Sequence, residues 1–270
     1  MQAFEGVFDL LEGLHPAAQA LLGGLFTWGI TALGAALGIW FKSSRRVLDL
    51  MLGFAAGVMV AASFFSLLLP AIDLVEGGGV PLGLLQPLIG FLSGSLFMLG
   101  MDKVLPHLHP GLKESEAEGY RTGLSSAWLM MLAMTLHNVP EGLAVGVSFG
   151  SGADLKVSLL LTFAIGLQNF PEGFAVSGPM RGAGYSRSFS FGMGQLSALV
   201  EPLAAVLGAY FAMTFSAVLP FSLAFAAGAM MYVVVEEVIP ESHYFGNADE
   251  ATLSTLAGFA LMMFLDTALG

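Results

Sequence analysis

The sequence has no cysteine and little charge. The absence of cysteine removes disulfides and thiolate metal sites from consideration. Charged residues make up 11% of the 270 positions, where a soluble domain carries about 25%. Hydrophobic residues make up 56% and mean hydropathy is +0.80, which excludes an ordinary soluble core and points to one membrane-embedded domain over residues 1–270. Positive charge is scarcest, with nine Lys and Arg against 20 Asp and Glu, and no nucleic-acid partner is expected. No GxxxxGK[ST] loop is present, so ATP drive is not expected, nor is any organic cofactor. Residues 1–16 hold Glu5, Asp9 and Glu12 but no Lys or Arg, unlike a cleavable signal peptide.

What is present is apolar sequence in runs of about 20 residues, enough to cross a hydrocarbon core. Eight such segments are drawn at roughly 18–41, 50–72, 82–105, 123–149, 155–179, 187–212, 217–240 and 251–269. The expected fold is therefore an all-α polytopic bundle. Eight of the nine basic residues then fall on one side: Lys42, Arg45, Arg46, Lys103, Lys113, Arg121, Arg181 and Arg187, leaving only Lys156 opposite. Because basic residues collect on the cytoplasmic side, both termini are expected outside, in a multi-pass protein of the cell inner membrane. The outer side carries Asp73, Glu76, Asp154 and Asp266, a negative mouth that would draw cations. Asp266, in the last outward turn of span 8, is the candidate entrance residue.

Into this apolar background the chain inserts the same polar cassette twice, "HNVPEGLAV" at 137–145 and "QNFPEGFAV" at 168–176. His137 and Glu141 are four apart and Asn138 and Glu141 three apart, so they share a helix face; Gln168, Asn169 and Glu172 repeat the spacing. Span 6 adds Glu201, followed by Pro202. A charged residue at the bilayer centre costs about 2.5–3.5 kcal/mol on an insertion scale. Three carboxylates at one depth repel one another unless something positive lies between them, and no Lys or Arg falls there. Protons or a bound cation must supply the charge. Helix–helix hydrogen bonding is the plain alternative for the amides, and a proton relay for the carboxylates. One imidazole among carboxylate and amide oxygens suits Zn²⁺ or another divalent transition metal. Met59, near the centre of span 2, either adds a thioether or simply packs.

Pro140 and Pro171 leave the carbonyls of Leu136 and Leu167 without a donor, so kinked backbone beside the polar groups is expected. The cassette lies in two helices of opposite direction. Inverted pairs of interrupted helices around a midplane site are a transporter signature. An intramembrane metalloprotease would want HExxH, and His137 is the only histidine at mid-depth. Asp49, Asp102, His107, His109, Glu236, Glu237, Glu241 and His243 fall near cytoplasmic ends, as a metal exit or as ordinary solvated residues.

At these residues the chain resembles the ZIP (Zrt/Irt-like protein) family of metal transporters, in its bacterial GufA-like branch. "HNVPEGLAVG" and "QNFPEGFAVSG" are similar to the family's span 4 and span 5 metal motifs, "GQLSALVEP" to its span 6 segment and "MMYVVVEEVIPES" to its span 7. The resemblance implies uptake of zinc, with cadmium, iron or manganese as further candidates, by alternating access, a metal-selective channel being the alternative. It implies eight helices with both termini outside and a homodimer in the bilayer. It also implies a binuclear centre. His137, Glu141, Gln168 and Glu172, with Met59, would hold the first ion. Asn138, Asn169 and Glu201 would hold the second, with Glu141 and Glu172 bridging. The chain departs from the pattern at Asn169, where some relatives carry Asp, and its span 3–4 loop has only "PHLHPG" where eukaryotic relatives often carry a long His-rich segment.

Overall fold

A computed structural model describes residues 10–40, 44–76, 82–104 and 123–269. His107 and His109 lie outside the described residues, as do Lys42, Lys113 and Arg121. The described residues form helices joined by short turns, with no strand among them. We label the α-helices α1 (Pro16–Trp40), α2 (Arg45–Ala61), α3 (Leu69–Glu76), α4 (Leu85–Val104), α5 (Ser126–Gly150), α6 (Leu155–Gly182), α7 (Arg187–Leu196), α8 (Val200–Thr214), α9 (Leu219–Val233), α10 (Ile239–His243) and α11 (Ala248–Leu269).

Among the described residues, six rods are long and apolar enough to cross a membrane: Pro16–Trp40, Arg45–Glu76, Leu155–Gly182, Arg187–Thr214, Ser216–His243 and Ala248–Ala268. Helices α4 and α5 have the length, at 20 and 25 residues, but polar residues dilute them. In α4 these are Gln86, Asp102 and Lys103 near the ends; in α5 they are His137, Asn138 and Glu141 in the middle.

Two rods change winding part-way. A π-helical segment, Ala62–Leu68, joins α2 to α3, and another, Val234–Val238, joins α9 to α10. A π turn inserts an extra residue and rotates the side chains that follow. The prolines act differently from the sequence expectation. Helices α5 and α6 run unbroken through Pro140 and Pro171. The interruption comes instead at residues 197–199, between α7 and α8, just before Glu201 and Pro202. Pro202 has no N–H for the carbonyl of Ala198, which accepts instead from Glu201 N at 3.0 Å.

The helices pack into two groups. One contains α1, α5, α6, α7 and α8; the other contains α2, α3, α4, α9, α10 and α11. Within each group small residues let the backbones approach closely, as in membrane bundles. A Cβ at Gly146 of α5 would lie 2.0 Å from the carbonyl oxygen of Ala205 in α8, and one at Gly173 of α6 would lie 2.0 Å from that of Thr31 in α1. Gly57 meets α11 and Gly94 meets α9 in the same way in the second group. The groups meet chiefly where α2 lies on α6 and α9 on α5. An apolar cluster crosses that seam, joining Leu52, Met59 and Val233 of the second group to Phe174, Ala175 and Met180 of the first.

Candidate metal centre

The polar centre is built on α5, α6 and the start of α8, all in the first group. Helices α5 and α6 are antiparallel neighbours. Their contacts step in opposite directions along the chain: Ser148 Oγ donates to Ser158 Oγ at 3.0 Å, and Gln168 Nε2 donates to Glu141 Oε1 at 2.6 Å. The two cassettes therefore face each other at one depth. Asn169 Nδ2 donates to both oxygens of Glu201, at 2.8 and 2.9 Å. Glu201 lies in the first turn of α8, where the helix dipole favours negative charge, and the Thr27 hydroxyl is also within hydrogen-bond reach.

Asn138 has a structural part in this arrangement. Its Nδ2 donates to Met134 O at 2.8 Å and, across the group, to Ser197 O at 3.0 Å, a carbonyl at the α7–α8 interruption. The amide thus ties α5 to the break that delivers Glu201. This is the helix-to-helix hydrogen bonding that the sequence left open for the amides.

Every one of these groups is buried: Asn138, Glu141, Gln168, Asn169 and Glu201 are 0% exposed, Glu172 is 1% and His137 is 3%. Yet, apart from His137 Nε2, which faces Glu237, seven of their polar atoms have no hydrogen-bond partner. These are His137 Nδ1, Asn138 Oδ1, Glu141 Oε2, Gln168 Oε1, Asn169 Oδ1 and both oxygens of Glu172. Buried polar atoms are ordinarily paired, and a dry, unpaired carboxylate is among the most costly groups a protein can bury. Glu141, Glu172 and Glu201 also lie close enough to repel one another, with His137 as the partner of opposite tendency near Glu172. Six of the seven orphaned atoms are oxygens. A set of buried oxygen acceptors with no N–H or O–H to meet them is what a cation requires.

Among the described residues no three His, Asp or Glu side chains converge on one point. The centre is organised as pairs, Glu141 with Gln168 and Asn169 with Glu201, with Glu172 between carboxylates and the imidazole. Met59 is fully buried, but within the apolar cluster at the seam.

A third pair crosses the two groups. His137 Nε2 of the first group lies 2.9 Å from Glu237 Oε2 of the second. The sequence placed Glu237 with the exit residues. Glu237 lies in the π turn Val234–Val238 and faces the central histidine, with its side chain 15% exposed. Asp102 and Glu236 lie near the same point: Tyr232 OH donates to Asp102 Oδ2 at 3.3 Å and is also within electrostatic range of both glutamates. A string of acids thus leads from His137 toward the end of α4. Asp49 is engaged elsewhere. It is buried, and it accepts from Arg45 Nε at 2.7 Å and from Asn247 Nδ2 at 2.8 Å. Arg45 also pairs with Glu241 and lies over the Phe245 ring. His243 Nε2 is 3.2 Å from the Thr252 hydroxyl, at the start of α11. At the opposite end of the bundle, half-buried Asp266 accepts from the Ser66 hydroxyl.

Comparison with known proteins agrees with this chemistry. The sequence profile described as ZIP Zinc transporter matches residues 112–266. Zinc transporter ZIPB of Bordetella bronchiseptica is 45% identical over 271 residues, covering 98% of this chain and 86% of that protein. Zinc transporter ZIP11 of Bos taurus is 42% identical over 341 residues, covering 97% of this chain and 100% of that protein. Zinc transporter GufA of Myxococcus xanthus is 41% identical over 254 residues, covering 93% and 98%.

The chain belongs to the ZIP zinc transporter family.

It is accordingly a multi-pass membrane protein and a transporter of divalent metal, not an enzyme. The ZIP profile begins at residue 112 and so takes in α5 and α6, which carry the orphaned acceptors, and α8, which carries Glu201.

Proposed function

We propose that this ZIP protein takes up zinc toward the cytosol through the centre formed by α5, α6 and α8, with cadmium, iron or manganese as further substrates. The observation that carries the reading is the set of buried acceptors without donors, on two antiparallel helices that repeat one cassette. The first ion is held by His137, Glu141, Gln168 and Glu172, with Met59 approaching from the second group. The second is held by Asn138, Asn169 and Glu201, and Glu141 and Glu172 bridge the two. Gln168 and Asn169 now offer N–H to carboxylates; with a divalent ion bound, each amide turns its oxygen inward, so that acceptors surround the metal.

The eight apolar segments of the sequence are the eight spans, α4 and α5 included, and both termini lie outside. Transport proceeds by alternating access as the first helix group moves against the second. The seam suits this, because all of the proposed ligands except Met59 travel together on one group. The His137–Glu237 contact spans the seam, and we assign Glu237, with Asp102 and Glu236, to handing the ion from the centre to the cytosol. Asp266 serves the entrance.

The chain has no native cysteine, so orientation is testable with single introduced ones. A cysteine at residue 2 or 270 is expected to react with an impermeant maleimide in intact cells, and protection at both ends would refute the orientation. Zinc influx into proteoliposomes containing the purified full chain tests the transport reading, and no influx from external zinc beyond that of protein-free vesicles would refute it.

A further inference from the structure

A cavity opens at the basic end of the bundle, between α1, α2, α6 and α7, and reaches inward as far as Phe174. Its volume is about 710 Å³, and its walls include Trp40 at the end of α1, Ser44 and Arg45 at the start of α2, Arg181 at the end of α6 and Arg187 at the start of α7. It therefore carries three guanidinium groups in a chain with a net charge of −11. They are not equivalent. The charge of Arg45 is met by Asp49 and Glu241. Arg181 donates to the backbone oxygen of Tyr185, and Arg187 lies over the Trp40 ring, 4.9 Å from its centroid. Neither Arg181 nor Arg187 is paired with a carboxylate among the described residues. Two cations thus face a cavity with their charge unmatched.

We propose that this cavity binds the phosphate headgroup of an anionic phospholipid, between Arg181 and Arg187. Guanidinium groups present forked N–H donors that fit phosphate oxygens. Basic pockets between transmembrane helices are sites where acidic lipid headgroups bind. The apolar surface beside the cavity selects a lipid over a free anion. Leu33, Leu37 and Trp40 follow one another at intervals of four and three residues, hence along one face of α1, and are 58%, 38% and 66% exposed. An acyl chain laid along that face keeps its phosphate at the level of Trp40, the depth at which tryptophan marks membrane interfaces. The assignment does not depend on how the metal moves.

Native mass spectrometry of the full chain, purified from membranes containing phosphatidylglycerol and phosphatidylcholine, tests this. Wild-type protein is expected to retain phosphatidylglycerol under activation that strips phosphatidylcholine. One Lys or Arg near a membrane surface contributes about 1 kcal/mol to such attraction. Occupancy is therefore expected to fall about fivefold in Arg187→Gln and more in Arg181→Gln/Arg187→Gln. Arg187 is exposed, so its single variant separates loss of the site from loss of the fold, and its melting temperature should match that of wild type. Equal retention of the two lipids, or undiminished retention of phosphatidylglycerol by the Arg187→Gln protein, would overturn the proposal. So would stabilisation by millimolar inorganic phosphate without any lipid preference.

Discussion

Among the described residues, the acids around Asp49 and those around Glu141 are satisfied in opposite ways. At the basic end, Asp49 and Glu241 share Arg45, and Asn247 supplies a further N–H to Asp49. The cluster is complete without anything added. At mid-bundle, Glu141, Glu172 and Glu201 have amides and a hydroxyl but no Lys or Arg, and three of their six carboxylate oxygens have no donor. Burial alone therefore does not mark a site, since Asp49 is as buried as Glu141. What marks it is burial with acceptors left over. The first cluster fastens α2 to α10; the second, in the function proposed above, is completed by a bound cation.

The two clusters should fail differently when broken. The largest effect on function is expected from His137→Ala or Glu141→Ala, which should abolish zinc uptake in a vesicle assay while the protein stays folded in the membrane. Arg45→Gln should do the reverse. It leaves Asp49 buried without its cation, which costs about 3 kcal/mol, so a thermal melt should show marked destabilisation while zinc affinity is unchanged. An intermediate effect is expected at the second ion. Asn169 is neutral, and an amide oxygen attracts a cation less than a carboxylate does. Wild-type protein should therefore bind one zinc tightly and one weakly, and Asn169→Asp should tighten the second, as equilibrium binding on purified protein would show. Two equal tight sites in the wild type would remove the charge argument. The smallest effect is expected from Asp266→Ala. Asp266 lies at the opposite end from Arg45 and is half-buried, so its loss should raise the apparent KM for zinc a few-fold at low ionic strength and less in salt, through lost steering.

Much of this was legible in the sequence, for physical reasons that also set the limits. Apolar runs of spanning length have few alternative readings in a bilayer, so the expected segment 187–212 corresponds to Arg187–Thr214 and 155–179 to Leu155–Gly182. The spacing of His137 with Glu141 and of Gln168 with Glu172 places each pair on one helix face, because four residues return a helix to the same side, but the contacts formed, Gln168 with Glu141 and His137 with Glu237, run between helices. What could not be read depended on contacts between distant segments. Glu237 meets His137 across 100 positions, from within the π turn at Val234–Val238. Asp49 looked like a candidate for the metal path until Arg45, Asn247 and Glu241 were seen around it. The prolines misled for a related reason. Removing one N–H does not break a helix that neighbours hold on both sides, and α5 and α6 stay helical through Pro140 and Pro171. The break falls at residues 197–199, where Asn138 is at hand to take up Ser197 O.

The central claim is that the mid-bundle carboxylates are arranged for a divalent cation and are a burden without one. Thermal unfolding of purified wild type and of Glu141→Gln/Glu172→Gln, each with and without zinc, tests it most directly. A ligand that binds only the folded state raises its stability, and removing unpaired buried charge removes a cost. Zinc is expected to raise the melting temperature of the wild type and leave that of the variant unchanged, and without zinc the variant is expected to melt higher than the wild type. A variant that melts lower than wild type in the absence of metal, and that zinc still stabilises as strongly, would contradict the account.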